Sequence, residues 1–254
     1  MKTIYMRKDF SKYRNDMVWD NGDYYKQLVL DPLMFWFLWD ISEKVVLELW
    51  CWNWYLANKF LNKWVKKLIL DDISNHNIDY AKMKCWNNIK VQFITSDIKL
   101  GLDIKDNSID VVYSNMLLPH IDNLGIFFVE VYRVLKRWWI LVFSTIHPSR
   151  MLRVYAKNNN NKILGVWNYF RRWRTKFLMW WDSEENITGE RFKDEFEVEN
   201  YQRPLEDYIE QIISAGFSIK MLKEPNVTKE LIKRQPKFWE YVEHPVSLLI
   251  WCVK

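Results

Sequence analysis

The 254-residue chain is poor in glycine. It holds 6, where average usage of about 7% would supply roughly 18. That excludes collagen-like and glycine-rich low-complexity classes, and it leaves few residues able to adopt left-handed backbone without cost. Cysteine is scarce too. Cys51, Cys85 and Cys252 are odd in number and far apart, so neither a disulfide framework nor a metal site is expected. A reducing cytoplasm is the expected setting. No run of about 18 uncharged apolar residues occurs, so no membrane span is expected. The opening stretch MKTIYMRKDFSKYRNDM is charged and lacks an apolar centre, unlike a signal peptide. Neither sign of charge dominates. The net charge of +5 from 37 basic and 32 acidic residues is too diffuse to imply nucleic acid by itself.

What the chain has instead is tryptophan, 16 residues of a type that is ordinarily rare. The excess is about as large as the glycine deficit. The rest of the composition, 49% hydrophobic and 27% charged, suits one globular domain with ample length for a core.

Periodicity supplies the fold class. Short apolar runs at Val45–Trp50, Leu68–Leu70, Val91–Ile94, Ile109–Ser114 and Ile140–Ser144 read as strands. Helical patterns lie at 31–40 before the first strand and at Tyr55–Lys63, Asn77–Lys84 and Leu124–Lys136 between later ones. Strands alternating with helices predict an α/β, doubly wound, mostly parallel sheet with helices on both faces. After a low-complexity loop, Lys157–Lys162, an amphipathic helix at Leu205–Ala215 is closed by Gly216. Strands at Phe217–Leu222 and Val246–Val253 follow, completing seven strands with an antiparallel C-terminal edge. The expected organisation is a lead-in over 1–40, a core over 41–150, an inserted cap over 151–203 and a closing helix and strand pair over 204–254.

The first strand runs into Glu48-Leu49-Trp50-Cys51-Trp52-Asn53-Trp54. With glycine in place of each tryptophan, this becomes an acidic residue followed by G-x-G-x-G. In that form, and with the strands that follow, the chain resembles the class I S-adenosylmethionine-dependent methyltransferases over about 110 residues. LILDDIS, FITSDI, the stretch Ile109–Asp122 and LKRWWILVFS look like the family's later motifs in order and spacing. The resemblance implies S-adenosylmethionine as cofactor. It implies that Glu48 orients the loop at Trp50, Trp52 and Trp54, that Asp72 takes the ribose, and that Asp97 takes the adenine amino group between Ile73 and Ile98. Asn115 lies beside that site. A dinucleotide-dependent oxidoreductase is disfavoured, because its loop needs G-x-G-x-x-G.

The departures recur outside that loop. Trp64 and Trp39 follow helices where a left-handed cap is usual, and Trp138-Trp139 occupies an expected helix-to-strand turn. A left-handed non-glycine residue costs about 1–2 kcal/mol. Six of them would cost about 6–12 kcal/mol, comparable with the roughly 5–15 kcal/mol that holds a domain together. One cause accounts for deficit and excess together: UGA codons meaning glycine, translated with a table in which UGA means tryptophan. If the tryptophans are genuine, the expectation becomes a non-catalytic, methyltransferase-like scaffold or binding protein.

Methyl transfer from a sulfonium needs alignment, and a base where the acceptor must lose a proton. His120 and His147, after the fourth and fifth strands, and Tyr113 are the candidate catalytic residues. Ser114-Asn115-Met116-Leu117 lacks the N/D-P-P-aromatic pattern of the amino-group methylases that act on nucleic acid bases. A small-molecule acceptor, without nucleic acid or membrane partner, is therefore expected. The basic stretch Arg171-Arg172-Trp173-Arg174 reads as a solvated face.

Overall fold

A parallel strand covered on both faces needs apolar residues at every position, and alternate residues then serve opposite layers. The computed structural model, which describes residues 4–17, 23–52, 54–85, 88–150, 169–170, 172–178, 197–242 and 245–254, obeys this in the central strands, whereas the edge strands are only partly buried. Strands β1 (Val45–Leu49), β2 (Lys67–Asp72), β3 (Val91–Thr95), β4 (Ile109–Asn115) and β5 (Leu135–Ile146) are parallel. Leu47, Ile69, Val112, Leu141 and Phe143 bury into one layer. Their neighbours Val46, Leu68, Leu70, Val111 and Val142 bury into the other.

Helices close each layer. On the first face, α5 (Leu124–Val134) inserts Phe127, Phe128 and Val131, and α6 (Leu205–Ser214) inserts Tyr208 and Ile212. On the second face, α2 (Asp31–Phe37), α3 (Ala57–Leu61) and α4 (Asn75–Lys84) contribute Met34, Phe37, Phe60, Ile78 and Ala81. Side-chain caps start two of these helices: Ser74 accepts from the Asn77 N–H, and Asn123 from the Ile126 N–H. An N-terminal helix, α1 (Lys8–Met17), meets α4 through a hydroxyl contact between Ser11 and Ser74.

The two C-terminal strands, β8 (Ser218–Lys223) and β9 (Ser247–Val253), add antiparallel to β5, giving the order β3-β2-β1-β4-β5-β9-β8. The expected seven-stranded sheet with an antiparallel edge is the observed one. Gly216, at φ +98°, ends α6 as expected: its own N–H bonds Ile213 O and the next N–H bonds Ile212 O. A separate two-stranded sheet pairs β6 (Trp173–Leu178) with β7 (Glu197–Gln202). The remainder of the expected cap, including Lys157–Lys162 and Arg171, lies outside the described residues.

Two local expectations are corrected. The helix after the first loop spans Ala57–Leu61 rather than Tyr55–Lys63, because Trp54 and Trp64 bracket it with positive φ. Trp138 and Trp139 do not form a helix-to-strand turn. They sit in an irregular stretch of β5, where the register with β4 slips between Leu135 and Ile140. The C-terminal Lys254 pairs with that stretch, accepting from Trp138 N–H and donating to Trp139 O. A bulge absorbs surplus residues in a strand without breaking it.

Candidate active site

Strand order reverses between β1 and β4, with β2 and β3 on one side and β5 on the other. At such a switch point the carboxyl ends of the strands open a crevice where open α/β sheets bind ligands. The segment Trp50–Leu56 between β1 and α3 crosses it. Its backbone is tied by short bonds: Cys51 N–H to Asp71 O, Trp54 N–H to Cys51 O, and Ala57 N–H to Trp54 O. These turns hold Trp50, Trp52 and Trp54 at φ +64°, +48° and +69°.

Acidic groups gather beneath this segment. Asp72, buried at the end of β2, accepts from Ser74 N–H at 2.9 Å and Asn77 Nδ2 at 3.1 Å through one oxygen. The other takes Trp52 N–H at 3.0 Å. Burial pushes its carboxyl up to about 6. Its neighbour Asp71 accepts from Ser96 Oγ, and burial raises it to about 8. Glu48 is only 2% exposed, and its Oε2 has no hydrogen-bond partner among the described residues. Burial raises its carboxyl well above the ordinary range, and the charges of Asp31 and Asp72 push it further. Among the described residues, the loop N–H of Trp52 is held by Asp72.

The other candidates lie as follows. Asp97 caps the turn Ile98–Leu100 by accepting Lys99 N–H, a capping geometry open to any aspartate. Ile98 is buried in the first core layer, whereas Ile73 is half-buried. Asn115, at the end of β4, donates to Tyr55 Oη at 3.0 Å and accepts from Ser144 Oγ at 2.7 Å. Tyr55 in turn donates to Asp31, which also holds Lys59. Tyr113 is fully buried, and its hydroxyl donates to Met34 Sδ. It therefore faces the core and not the crevice.

The two histidines differ. His147 Nδ1 accepts from Ser149 N–H at 3.2 Å, so Nε2 carries the proton and donates to Glu224 at 2.8 Å. His120 sits in a short turn after β4, and its Nδ1 lies 2.6 Å from Tyr5 Oη and 3.1 Å from Glu199 O. A carbonyl can only accept, so bonding to Glu199 puts the proton on Nδ1 and leaves Nε2 as the basic nitrogen.

Four contributors escaped the sequence reading: Tyr5, Lys26, Asp31 and Tyr55. Tyr5, Lys26 and Asp31 come from the lead-in, where nothing in the local pattern announces a site. Lys26 is buried, 5.3 Å from the Trp52 ring and 5.6 Å from that of Tyr55. Only Tyr55, directly after the loop, carried a positional signal.

Residues 55–143 match a family model described as a methyltransferase domain. Over that segment the chain is similar to a methyltransferase domain. An S-adenosylmethionine-dependent methyltransferase of Mesorhizobium loti shares the fold, with 18% identity over 88% of this chain and 96% of its own, at a TM-score of 0.72. A Listeria monocytogenes protein described in the same terms shows 24% identity over 88% of this chain and 95% of its own, also at 0.72. DhpI, solved with S-adenosylhomocysteine (SAH), shows 15% identity over 97% and 94%, at 0.59. Among curated proteins no significant match is found.

S-adenosylmethionine is the cofactor named for the Listeria monocytogenes and Mesorhizobium loti proteins. The acids at the strand ends suit a cationic ligand, and the unpartnered Glu48 oxygen is the kind of buried atom a site completes. The loop does not suit it. The Trp50 ring lies 4.6 Å from His120, 5.0 Å from Tyr5 and 6.5 Å from Trp52. These indoles occupy the segment where glycines would let backbone approach the cofactor. The cofactor does not fit against the loop residues present.

Proposed function

We propose that the protein transfers a methyl group from S-adenosylmethionine to a small-molecule acceptor. The observation that carries this reading is the meeting, at one switch point, of the loop after β1 with Asp72 and Asn115. The resemblance puts the cofactor at these positions. Glu48, Asp72, Ile73, Asp97, Ile98 and Asn115 form the cofactor side of the proposed site, with positions 50, 52 and 54 as the loop. His120 is the proposed base for an acceptor that must lose a proton, acting through Nε2, and Tyr5 orients it. His147, whose two nitrogens are engaged by Ser149 and Glu224, is the second candidate. Tyr113 is left out because its hydroxyl is buried against Met34.

The acceptor specificity is assigned to the region 151–203, where aromatic side chains suit a partly apolar small molecule. Residues 41–150 form the cofactor core in this reading, and the setting is cytoplasmic. Among the described residues no helix is long and apolar enough to cross a membrane, and no group of His, Cys, Asp and Glu could hold a metal ion.

The test is transfer of an isotope-labelled methyl group from S-adenosylmethionine into pooled small metabolites, RNA and protein. It is run with the chain as written and with Trp50→Gly, Trp52→Gly and Trp54→Gly combined. Label in the small-molecule fraction supports the reading, and label confined to RNA or protein overturns the acceptor assignment.

A second reading, a non-catalytic scaffold or binding protein, is favoured by the packing of the Trp50 ring against the edges and tilted faces of Tyr5 and His120. It predicts that neither chain takes up or transfers label.

A further inference from the structure

Nine residues other than glycine have positive φ among the described residues, and six of them are tryptophan: Trp39, Trp50, Trp52, Trp54, Trp64 and Trp138. Tryptophan has no means of favouring this conformation. Asn107, also in the set, can bond its own backbone locally; an indole cannot.

Packing does not account for them either. Trp39, Trp64 and Trp138 are 72%, 72% and 71% exposed, so their rings gain little burial in return for the strain. What the backbone does at these sites is independent of the side chain. Trp39 N–H bonds Trp36 O at the end of α2, and Trp64 N–H bonds Leu61 O after α3, helix endings that ordinarily use a left-handed glycine. At Trp138 the positive φ accompanies the bulge in β5. The remaining three turn the loop after β1. The family-model match begins at residue 55, directly after the last of them.

Ordinary tryptophans are present as well. Trp251 lies in β9 and stacks on Phe37 at 6.5 Å and 26°, packing that a glycine would forfeit. Gly101 and Gly216, at φ +92° and +98°, show that true glycines hold the same kind of position elsewhere.

We propose that positions 39, 50, 52, 54, 64 and 138 are glycine positions, specified by UGA codons that the source organism reads as glycine. A table reading UGA as tryptophan would write an indole at each of them and leave residues from the GGN glycine codons and from UGG unchanged. Position 139, whose φ is not positive, is not required by the backbone. The consequence for the crevice rests on the methyltransferase reading: with glycine at 50, 52 and 54 the indoles vanish, and the cofactor cradle opens.

The test has two arms. The gene is sequenced, with UGA expected at the six codons and UGG at Trp251; UGG at the six overturns the proposal. The full chain is then made as written and with all six tryptophans replaced (Trp39→Gly, Trp50→Gly, Trp52→Gly, Trp54→Gly, Trp64→Gly, Trp138→Gly). Thermal unfolding and calorimetric titration with SAH follow. A higher Tm for the six-glycine chain supports the proposal, and a lower one overturns it. Binding of SAH by that chain alone supports the open cradle, whereas equal binding by both overturns the crowding. A six-glycine chain that melts higher yet binds no SAH leaves the glycine assignment standing and overturns the methyltransferase reading instead.

Discussion

Asp72 accepts the backbone N–H of Trp52 at 3.0 Å, fastening the loop after β1 to the end of β2. One carboxylate thereby sets the height of the loop over the crevice while its second oxygen starts the next turn through Ser74 and Asn77. Replacing it strands three donors. Asp72→Ala should destabilise the protein by about 1–3 kcal/mol, the cost of leaving buried donors unsatisfied. Urea unfolding at neutral pH measures it.

The neighbouring acid gives a pH signature. Burial raises Asp71 from 3.8 to about 8, so the folded state holds a proton that the unfolded chain releases near pH 4. Its contribution to stability is fully present below pH 4 and is lost as pH rises through about 8. Asp71→Asn keeps an acceptor for Ser96 and removes the titration. The variant should differ little from the parent at pH 4 and be the more stable by a few kcal/mol at pH 8, given about 1.4 kcal/mol per pKa unit. A stability gap that does not widen with pH would refute the buried-acid account.

The exposed left-handed tryptophans separate strain from packing. Trp64→Ala removes the indole and keeps Cβ, whereas Trp64→Gly removes both. Glycine should exceed alanine in stability by about 1 kcal/mol at this site. The same ordering is expected at Trp39 and Trp138. Equal stability of the two variants, measured by chemical denaturation, would show that the positive φ carries no cost.

The histidines should part company in kinetics. In the background with glycine at 50, 52 and 54, His120→Phe should lower kcat by about 10²- to 10⁴-fold, the usual contribution of a positioned base. His147→Phe should instead lower stability by about 1 kcal/mol, because it cuts the link from the end of β5 to Glu224. Turnover and urea midpoints for both variants give the comparison. A His147 variant that loses turnover while keeping its stability would exchange the two roles.

Much of this fold was legible along the chain. Apolar runs such as Val45–Leu49 and Ile109–Asn115 mark strands covered on both faces, since any other arrangement would expose them. The helices between them follow from 3.6-residue spacing, as in Phe127, Phe128 and Val131 of α5. The acids Asp72 and Asp97 could be placed at strand ends for the same reason, and the tryptophans at 39, 64 and 138 stood out by position before any angle was known.

Composition, period and motif spacing determined the sheet, its strand sequence and the locus of the crevice, because these depend on which short segments must be buried. Tertiary structure alone decided what fills that crevice. Tyr5, Lys26 and Asp31 reach it from a lead-in with no pattern of its own, and Asp72 holds the loop at Trp52. Tyr113 is core because its strand position points it into the second layer. Side-chain direction and long-range pairing settle such matters, and neither is written in any local stretch of sequence. The shortage of glycine belongs to both levels: it could be counted in the sequence, but only the backbone showed that six tryptophans stand where φ is positive.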